Sequence, residues 1–286
     1  MKISVAILST LVLFACSTQG VKTDETKPKQ TANKTHSEEP MTAEKALEPK
    51  KMIVDKKEFP NGLKIQWFEK GTGEAVQDGE VYEINYKVKL VNGDVIDGNH
   101  LLSREMIPFL VGYGMQYKGW DLAMKEMHIG DFTEIYVPAN LARGEKGIQG
   151  VIPPNSPNII FIRIGKKIEP TRIVDGTKVW CLEEKTDNNF IVKETSSVGL
   201  HYFVGSKSNP KYDNSYQRNE PFRFHMDDFS LIPGLRKALI NAKLYDKLWI
   251  IVPANQAYGS KGYLELVKPN ESMFYDVFVT ELDGQK

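Results

Sequence analysis

The chain has 286 residues, 41% hydrophobic and 26% charged, the balance of an ordinary globular protein long enough for two domains. Lysine plus arginine equals aspartate plus glutamate at 37 each, so the net charge is zero and the basic footprint of a nucleic-acid binder is absent. Two cysteines, Cys16 and Cys181, are too few for a disulfide framework or a metal cluster, and Cys181 is expected as a free, buried thiol. The histidines (His36, His100, His128, His201 and His225) have no metal-ligand spacing, and no phosphate-binding glycine loop or nucleophile elbow occurs, so no cofactor and no metal are expected.

Lys2 precedes a nearly unbroken apolar run from Ile3 to Ala15, the length of a signal peptide and too short to span a bilayer. Leu13-Phe14-Ala15-Cys16 resembles the lipobox of bacterial lipoproteins, with Phe14 the unusual residue in it. The resemblance implies a signal peptide over residues 1–15, cleavage before Cys16, and lipidation of Cys16 as the membrane partner. Several acyl chains, at about 0.8 kcal/mol per buried CH₂, would anchor the chain stably. An ordinary secretory signal ending near a cysteine is the alternative. Ser17 in place of an aspartate implies, by the same resemblance, the outer membrane, with the protein facing the periplasm or the cell surface. From Ser17 to Lys51 the chain is polar, charged and nearly free of aromatic residues, so it cannot bury enough surface to offset ordering. Residues 16–51 are expected as a disordered tether with a reach on the order of 30 Å.

Regular pattern begins near Phe59. Tyr82, Ile84, Tyr86, Val88 and Leu90 alternate with Glu83, Asn85, Lys87 and Lys89, a half-buried strand, and Asn92-Gly93 is a two-residue hairpin signal. Trp120, Ala123, Met124 and Met127 fall at i, i+3, i+4 and i+7, a helix stopped by Gly130. Ile135 and Val137 form a strand ended by Pro138, and a last strand runs from about Ile159 to Ile164. Strands with one short helix imply an α+β domain, a curved antiparallel sheet with the helix packed on it.

The segments NGLKIQWFEKGTGE, NYKVKLVNGDVID, GYGMQYKGWDLAM and VPANLARGEKGIQGVIPPN resemble the FKBP-type peptidyl-prolyl isomerases in order and spacing, over about Phe59 to Ile168. The resemblance implies a five- or six-stranded antiparallel sheet around a short helix, with an aromatic pocket between them. By position the pocket is Tyr86, Ile96, Asp97, Phe109, Gln116, Tyr117, Trp120, Ile148 and Ile152, with Trp120 as floor under the proline ring. Arg143 stands where the family has a tyrosine that hydrogen-bonds the peptide; it is either a surface replacement in an inactive site or a specificity change in an active one.

The chain then repeats itself. Gly119, Ala123, Asp131, Ile135 and Val137 recur 115 residues later as Gly234, Ala238, Asp246, Ile250 and Val252, and Pro138-Ala139-Asn140 recurs as Pro253-Ala254-Asn255. A boundary near Glu169-Pro170 separates one domain over 52–170 from a degenerate copy over 171–286. The copy also resembles the FKBP family, and by position its pocket is Tyr202, Tyr212, Asp213, Phe222, Phe224, Leu231, Ile232, Leu235, Tyr258, Tyr263, Val267 and Tyr275, with Arg218 as partner of Asp213. It keeps the tyrosine, Tyr258, that the first copy lacks, but has Leu235 for the tryptophan floor and Lys268 for the first proline of the turn.

Isomerisation of an X–Pro bond needs no nucleophile, acid or cofactor; the pocket has only to bind the twisted imide better than either planar form. The resemblance assigns that role to Tyr86, Asp97, Phe109, Trp120 and Ile152, and in the copy to Tyr202, Asp213, Phe222 and Tyr258. Taken singly, aromatic residues at strand spacing are core packing and an aspartate ending a strand is a turn residue; the ordered set argues for a site. The expected function is isomerisation of prolyl segments in exported envelope proteins. The alternative is a non-catalytic chaperone or binding module, favoured by Arg143 and Leu235.

Overall fold

A computed structural model describes Leu47 and residues 52–102, 104–185 and 189–285. The expected signal peptide, the lipidated Cys16 and nearly all of the tether lie outside the described residues. Two antiparallel sheets follow one another along the chain. The first holds β1 (Asp55–Glu58), β2 (Lys64–Glu69), β3 (Val81–Leu90), β4 (Val95–Gly98), β5 (Ile107–Leu110), β6 (Phe132–Val137) and β7 (Asn158–Ile168), in the order β1-β2-β6-β7-β3-β4, with β5 also paired to β3. Helix α1 (Lys118–Met124) lies between β5 and β6 in the chain. The second sheet holds β8 (Arg172–Val174), β9 (Thr177–Glu183), β10 (Ser197–Ser206), β11 (Asp213–Asn214), β12 (Phe222–His225), β13 (Lys247–Val252) and β14 (Met273–Leu282), in the order β11-β10-β14-β13-β9-β8, with β12 also on β10. Helix α2 (Pro233–Leu239) precedes β13. Helices and flanking strands of the two copies keep the 115-residue offset: α1 and β6 against α2 and β13.

Several expectations are corrected. Each sheet has seven strands among the described residues, more than the five or six expected, because short edge strands such as β1 and β8 add to it. The first strand among the described residues is β1, from Asp55, exposed and of polar sequence with no apolar alternation to read. The last strand runs from Asn158 to Ile168, and its far end pairs Ile168 with Val81. The Asn92-Gly93 turn is a three-residue loop. Gly93 N–H donates to the Leu90 carbonyl and Leu90 N–H to the Asp94 carbonyl, with Gly93 at φ +98°, the type I turn plus bulge that a left-handed glycine allows. Helix α1 ends at Met124, before Met127 and Gly130. The N–H groups of Glu126 and Met127 turn back to the carbonyls of Ala123 and Met124, three residues earlier, and tighten the chain out of the α-helix. Strand β3 is more than half-buried, since Lys87 on its outer face is also covered. Cys181 is free but only half-buried; burial still pushes its thiol up to about 11.

Each sheet packs its inner face on its helix. In the first domain Leu63, Ile65, Ile84, Ile135, Ile160 and Ile162 meet Trp120, Ala123 and Met124; in the second, Val179, Leu200, Ile250, Val277 and Val279 meet Leu235, Ala238 and Leu239. Gly119 and Gly234 permit this approach, because a Cβ at either would stand 2.3 Å from the Val137 or Val252 side chain. A third core joins the domains: Val81, Leu110 and Tyr113 pack against Trp180, Trp249, Ile251 and Phe274. The Trp180 indole donates to the Ile168 carbonyl at 2.8 Å, and Lys178–Glu80 (2.5 Å) and Lys207–Asp78 (3.2 Å) pair across the junction. On the outer face of the first sheet, Leu47 packs with Phe68, Phe132 and Phe161.

Candidate functional site

Trp120 occupies the first turn of α1 and points into the first sheet, only 2% exposed. Phe109 from β5 stacks against its ring at 5.4 Å, Tyr86 from β3 meets it edge-on at 5.2 Å, and Tyr117 edge-on at 6.3 Å. The Tyr86 hydroxyl donates to Asp97 Oδ1 at 3.1 Å, and Gly98 N–H donates to the same oxygen at 2.8 Å. Burial and the Asp97 charge raise the Tyr86 phenol far above its ordinary value, so it remains a donor.

The nine pocket positions expected in the first domain are thereby brought together. Ile96, Asp97, Gln116, Tyr117, Trp120, Ile148 and Ile152 line a small cavity, while Tyr86 and Phe109 pack against its tryptophan. Ile148 and Ile152 bridge to each other in the loop before β7, which closes the rim.

Four residues outside that set also line the cavity: Val88, Val151, Asn158 and Arg143. Asn158, fully buried at the start of β7, donates from Nδ2 to the Tyr117 hydroxyl at 3.0 Å. Burial, the dominant cause, pushes the Tyr117 phenol up to about 12 despite that hydrogen bond and the nearby Arg143 charge. A polar residue opening an otherwise apolar strand, as in NIIFI, is the signal that marks Asn158. Arg143 lies over the Tyr117 ring at 5.4 Å and lines the cavity. Its Nε and the Asn158 Oδ1 are buried without a hydrogen-bond partner among the described residues. Such atoms cost free energy until something pairs with them, and a peptide amide can do so. The cavity is small, about 30 Å³, and partly open, and the long, half-exposed Arg143 stands at its rim.

The second domain assembles the corresponding residues. Phe224, Ile232, Leu235, Val267 and Tyr275 belong to its core, with Tyr202, Tyr212, Leu231 and Tyr258 packed on them. Phe222 is 38% exposed and contacts Tyr202 at 6.0 Å and Phe224 at 5.3 Å. Leu235 takes the place of the tryptophan, 6% exposed, and leaves no aromatic floor. Tyr258 stacks on the exposed Tyr263 at 4.8 Å and is hydrogen-bonded to Tyr212. Tyr202 donates to Asp213, whose two oxygens also take both arms of Arg218, at 2.5 and 3.2 Å. Burial opposes the Asp213 charge, but the hydrogen bonds from Arg218 and Tyr202 outweigh it and hold the carboxyl below its ordinary range. Asp213 thus remains ionised and fixes the Tyr202 hydroxyl, as Asp97 orients that of Tyr86.

A cleft of about 940 Å³ opens where the domains meet, and Gln116, Tyr117 and Arg143 line both it and the small cavity of the first domain.

Comparison with known proteins gives matches on both copies. The family model of FKBP-type peptidyl-prolyl cis-trans isomerases matches residues 72–164 and 189–280. Peptidyl-prolyl cis-trans isomerase FKBP10 of Mus musculus is 24% identical over 214 residues, 74% of this chain and 36% of that protein. FK506-binding protein 4 of Rhizopus delemar is 36% identical over 106 residues, 37% of this chain and 27% of that protein. The chain thus spans about a third of the length of the curated relatives it matches. Among solved structures, the three FKBP domains of wheat FKBP73 are similar over 78% of this chain and 95% of that one, with 22% identity and a TM-score of 0.39.

Proposed function

The chain belongs to the FKBP-type peptidyl-prolyl cis-trans isomerase family, and we propose that it catalyses cis–trans isomerisation of X–Pro bonds in other proteins, chiefly at the first domain's pocket. The observation that carries this reading is the buried Trp120 ring boxed by Phe109, Tyr86 and Tyr117, with Asp97 holding the Tyr86 hydroxyl. The barrier to rotation is about 18–20 kcal/mol because the planar imide is resonance-stabilised. The twisted imide has lost that resonance and is less charge-separated, so an apolar aromatic box binds it better than the planar forms. The unpartnered Arg143 Nε–H is a donor for the carbonyl preceding the proline, in the place of the tyrosine hydroxyl that the second copy keeps as Tyr258. In the second domain, Leu235 and the stacked Tyr258–Tyr263 pair favour peptide binding with slower turnover. The clients we assign are exported proteins of a bacterial envelope, reached from a lipid anchor at Cys16; the apolar leader ending at that cysteine supports this.

The test is a prolyl isomerisation assay on a proline-limited refolding substrate with the whole described chain. The two domains are kept together because Trp180, Trp249 and Phe274 would be bared by cutting them apart. Trp120→Leu copies the residue found at the equivalent place of the second domain, so it should fold; it is expected to lower kcat/KM on the order of tenfold to a hundredfold. A wild-type chain that leaves the refolding rate unchanged would leave the non-catalytic binding module as the function. The cavity of about 30 Å³ under Arg143 is the observation on its side.

A further inference from the structure

Chain charge is balanced at 37 basic and 37 acidic side chains, yet the interdomain cleft is not. Its lining carries six basic side chains, Lys118, Arg143, Lys146, Lys207, Lys211 and Lys247, against two acidic ones, Asp121 and Asp276. Both acidic groups are engaged inside the fold. Asp121 accepts the N–H groups of Gly112 and Gly114 at 2.9 Å each, and Asp276 is hydrogen-bonded to Trp249. Of the basic groups, Lys207 pairs with Asp78 and Lys247 with Glu183. Lys118 and Lys146 from the first domain and Lys211 from the second are exposed and have no carboxylate partner among the described residues.

Uncompensated charge on a concave, partly apolar surface is a steering device rather than a stabilising one, since like charges gathered there repel. At about 940 Å³ the cleft is far larger than the prolyl cavity, and Arg143 stands between them with an unsatisfied buried Nε–H. Gln116, Tyr117 and Arg143 line both the cavity over Trp120 and the cleft, so a chain whose proline sits over Trp120 has a direction past them into the cleft. Its walls offer the partly exposed Met115 and Phe203 to side-chain carbon, and lysines from both domains to carboxylates.

Resting on the isomerase reading above, we infer that the cleft seats an acidic extended segment of the client polypeptide flanking the target proline, so that the first domain selects X–Pro bonds in acidic sequence. The second domain then acts as one wall of the first domain's substrate site, Lys211 supplying charge and the partly exposed Phe203 supplying apolar surface.

The experiment compares three fluorescein-labelled peptides sharing an Ala-Leu-Pro-Phe centre, flanked by four glutamates, four serines or four lysines. The whole chain is tested for binding by anisotropy and for isomerisation by a protease-coupled assay. Expected is a kcat/KM for the glutamate peptide about fivefold to tenfold above the serine peptide at low salt, shrinking toward unity at high salt as exposed charges are screened. In the triple variant Lys118→Glu, Lys146→Glu, Lys211→Glu the preference should vanish or reverse, with the melting temperature unchanged. Lys118→Gln, Lys146→Gln, Lys211→Gln serves as a milder second variant and should halve the preference or better. Equal kcat/KM and equal binding for all three peptides would overturn the inference while leaving the isomerase intact. If no peptide is turned over, the isomerase reading fails, and the anisotropy arm still decides the cleft: glutamate-selective binding lost in the triple variant keeps it as an acidic-segment site. Binding of phosphatidylglycerol vesicles with none of the glutamate peptide would reassign the cleft to a lipid surface and overturn the proposal.

Discussion

Asp276 shows how a single side chain can tie stability to the junction of the domains. It lies half-buried on the face of β14 that lines the cleft. Burial pushes its carboxyl up to about 6, against the Trp249 hydrogen bond and the Lys247 charge. A carboxyl raised in the folded state is one that folding prefers protonated. Stability is therefore greatest below its unfolded value near 3.8 and falls as pH rises through about 6. Asp276→Asn keeps an acceptor for Trp249 and removes the loss. It should raise the unfolding free energy at pH 7 by about 1–3 kcal/mol and leave it nearly unchanged at pH 4. Urea titrations at the two pH values check this; equal effects at both would refute the assignment. The pocket residues came from the family resemblance, not from the residue pattern. Arg143 was visible only as a departure, and its contact with Tyr117 needed the fold.

Among elements, the two short helices depend on glycine for their distance from the sheet. A methyl at Gly119 would meet Val137 at 2.3 Å and the Leu141 carbonyl at 3.1 Å, so the helix must lift or the valine must move. Gly119→Ala should destabilise by about 1–3 kcal/mol through overpacking. Because it also lifts Trp120 from Phe109, it should lower kcat/KM for neutral peptides more than Gly234→Ala, whose helix carries Leu235. Chemical denaturation beside the protease-coupled assay separates the two effects. The helices were legible from their apolar spacing, but their length was not: Met127 continues the period while the backbone has already tightened. Period alone does not distinguish a buried residue on a helix from one on the turn after it.

For the molecule as a whole, the decisive feature is the core between the domains. Strand β13 reads Lys-Leu-Trp-Ile-Ile-Val, apolar on both faces: Leu248, Ile250 and Val252 face α2, while Trp249 and Ile251 face the first domain. With Trp180 and Phe274 buried there, the domains should unfold as one unit. Trp249→Ala should cost about 3–5 kcal/mol and split a single calorimetric transition into two. A single transition retained in the variant, with the same melting temperature, would show the domains to be independently stable. The same rigid junction makes the cleft a shape rather than a fluctuating gap, which the acidic-segment inference requires.

Fold class and the duplication were readable in the chain itself, whereas the pocket positions came only through the resemblance to a known family. Alternation makes strands, turn residues punctuate them, and a 115-residue offset in Gly, Ala, Pro and Asn survives divergence wherever backbone geometry demands those residues. The union of the domains was not readable. An apolar outer face such as Trp180, Trp249 and Phe274 has the same pattern whatever covers it, and Lys118, Lys146 and Lys211 are unremarkable surface lysines until two separately coded loops are set opposite each other. Pocket size belongs to the same class, since about 30 Å³ under Arg143 is fixed by how side chains from β3, α1 and the loop before β7 pack together. Local preference depends on neighbours along the chain and so leaves a mark in sequence; enclosure depends on neighbours in space, and nothing in the order of residues records which surfaces will meet.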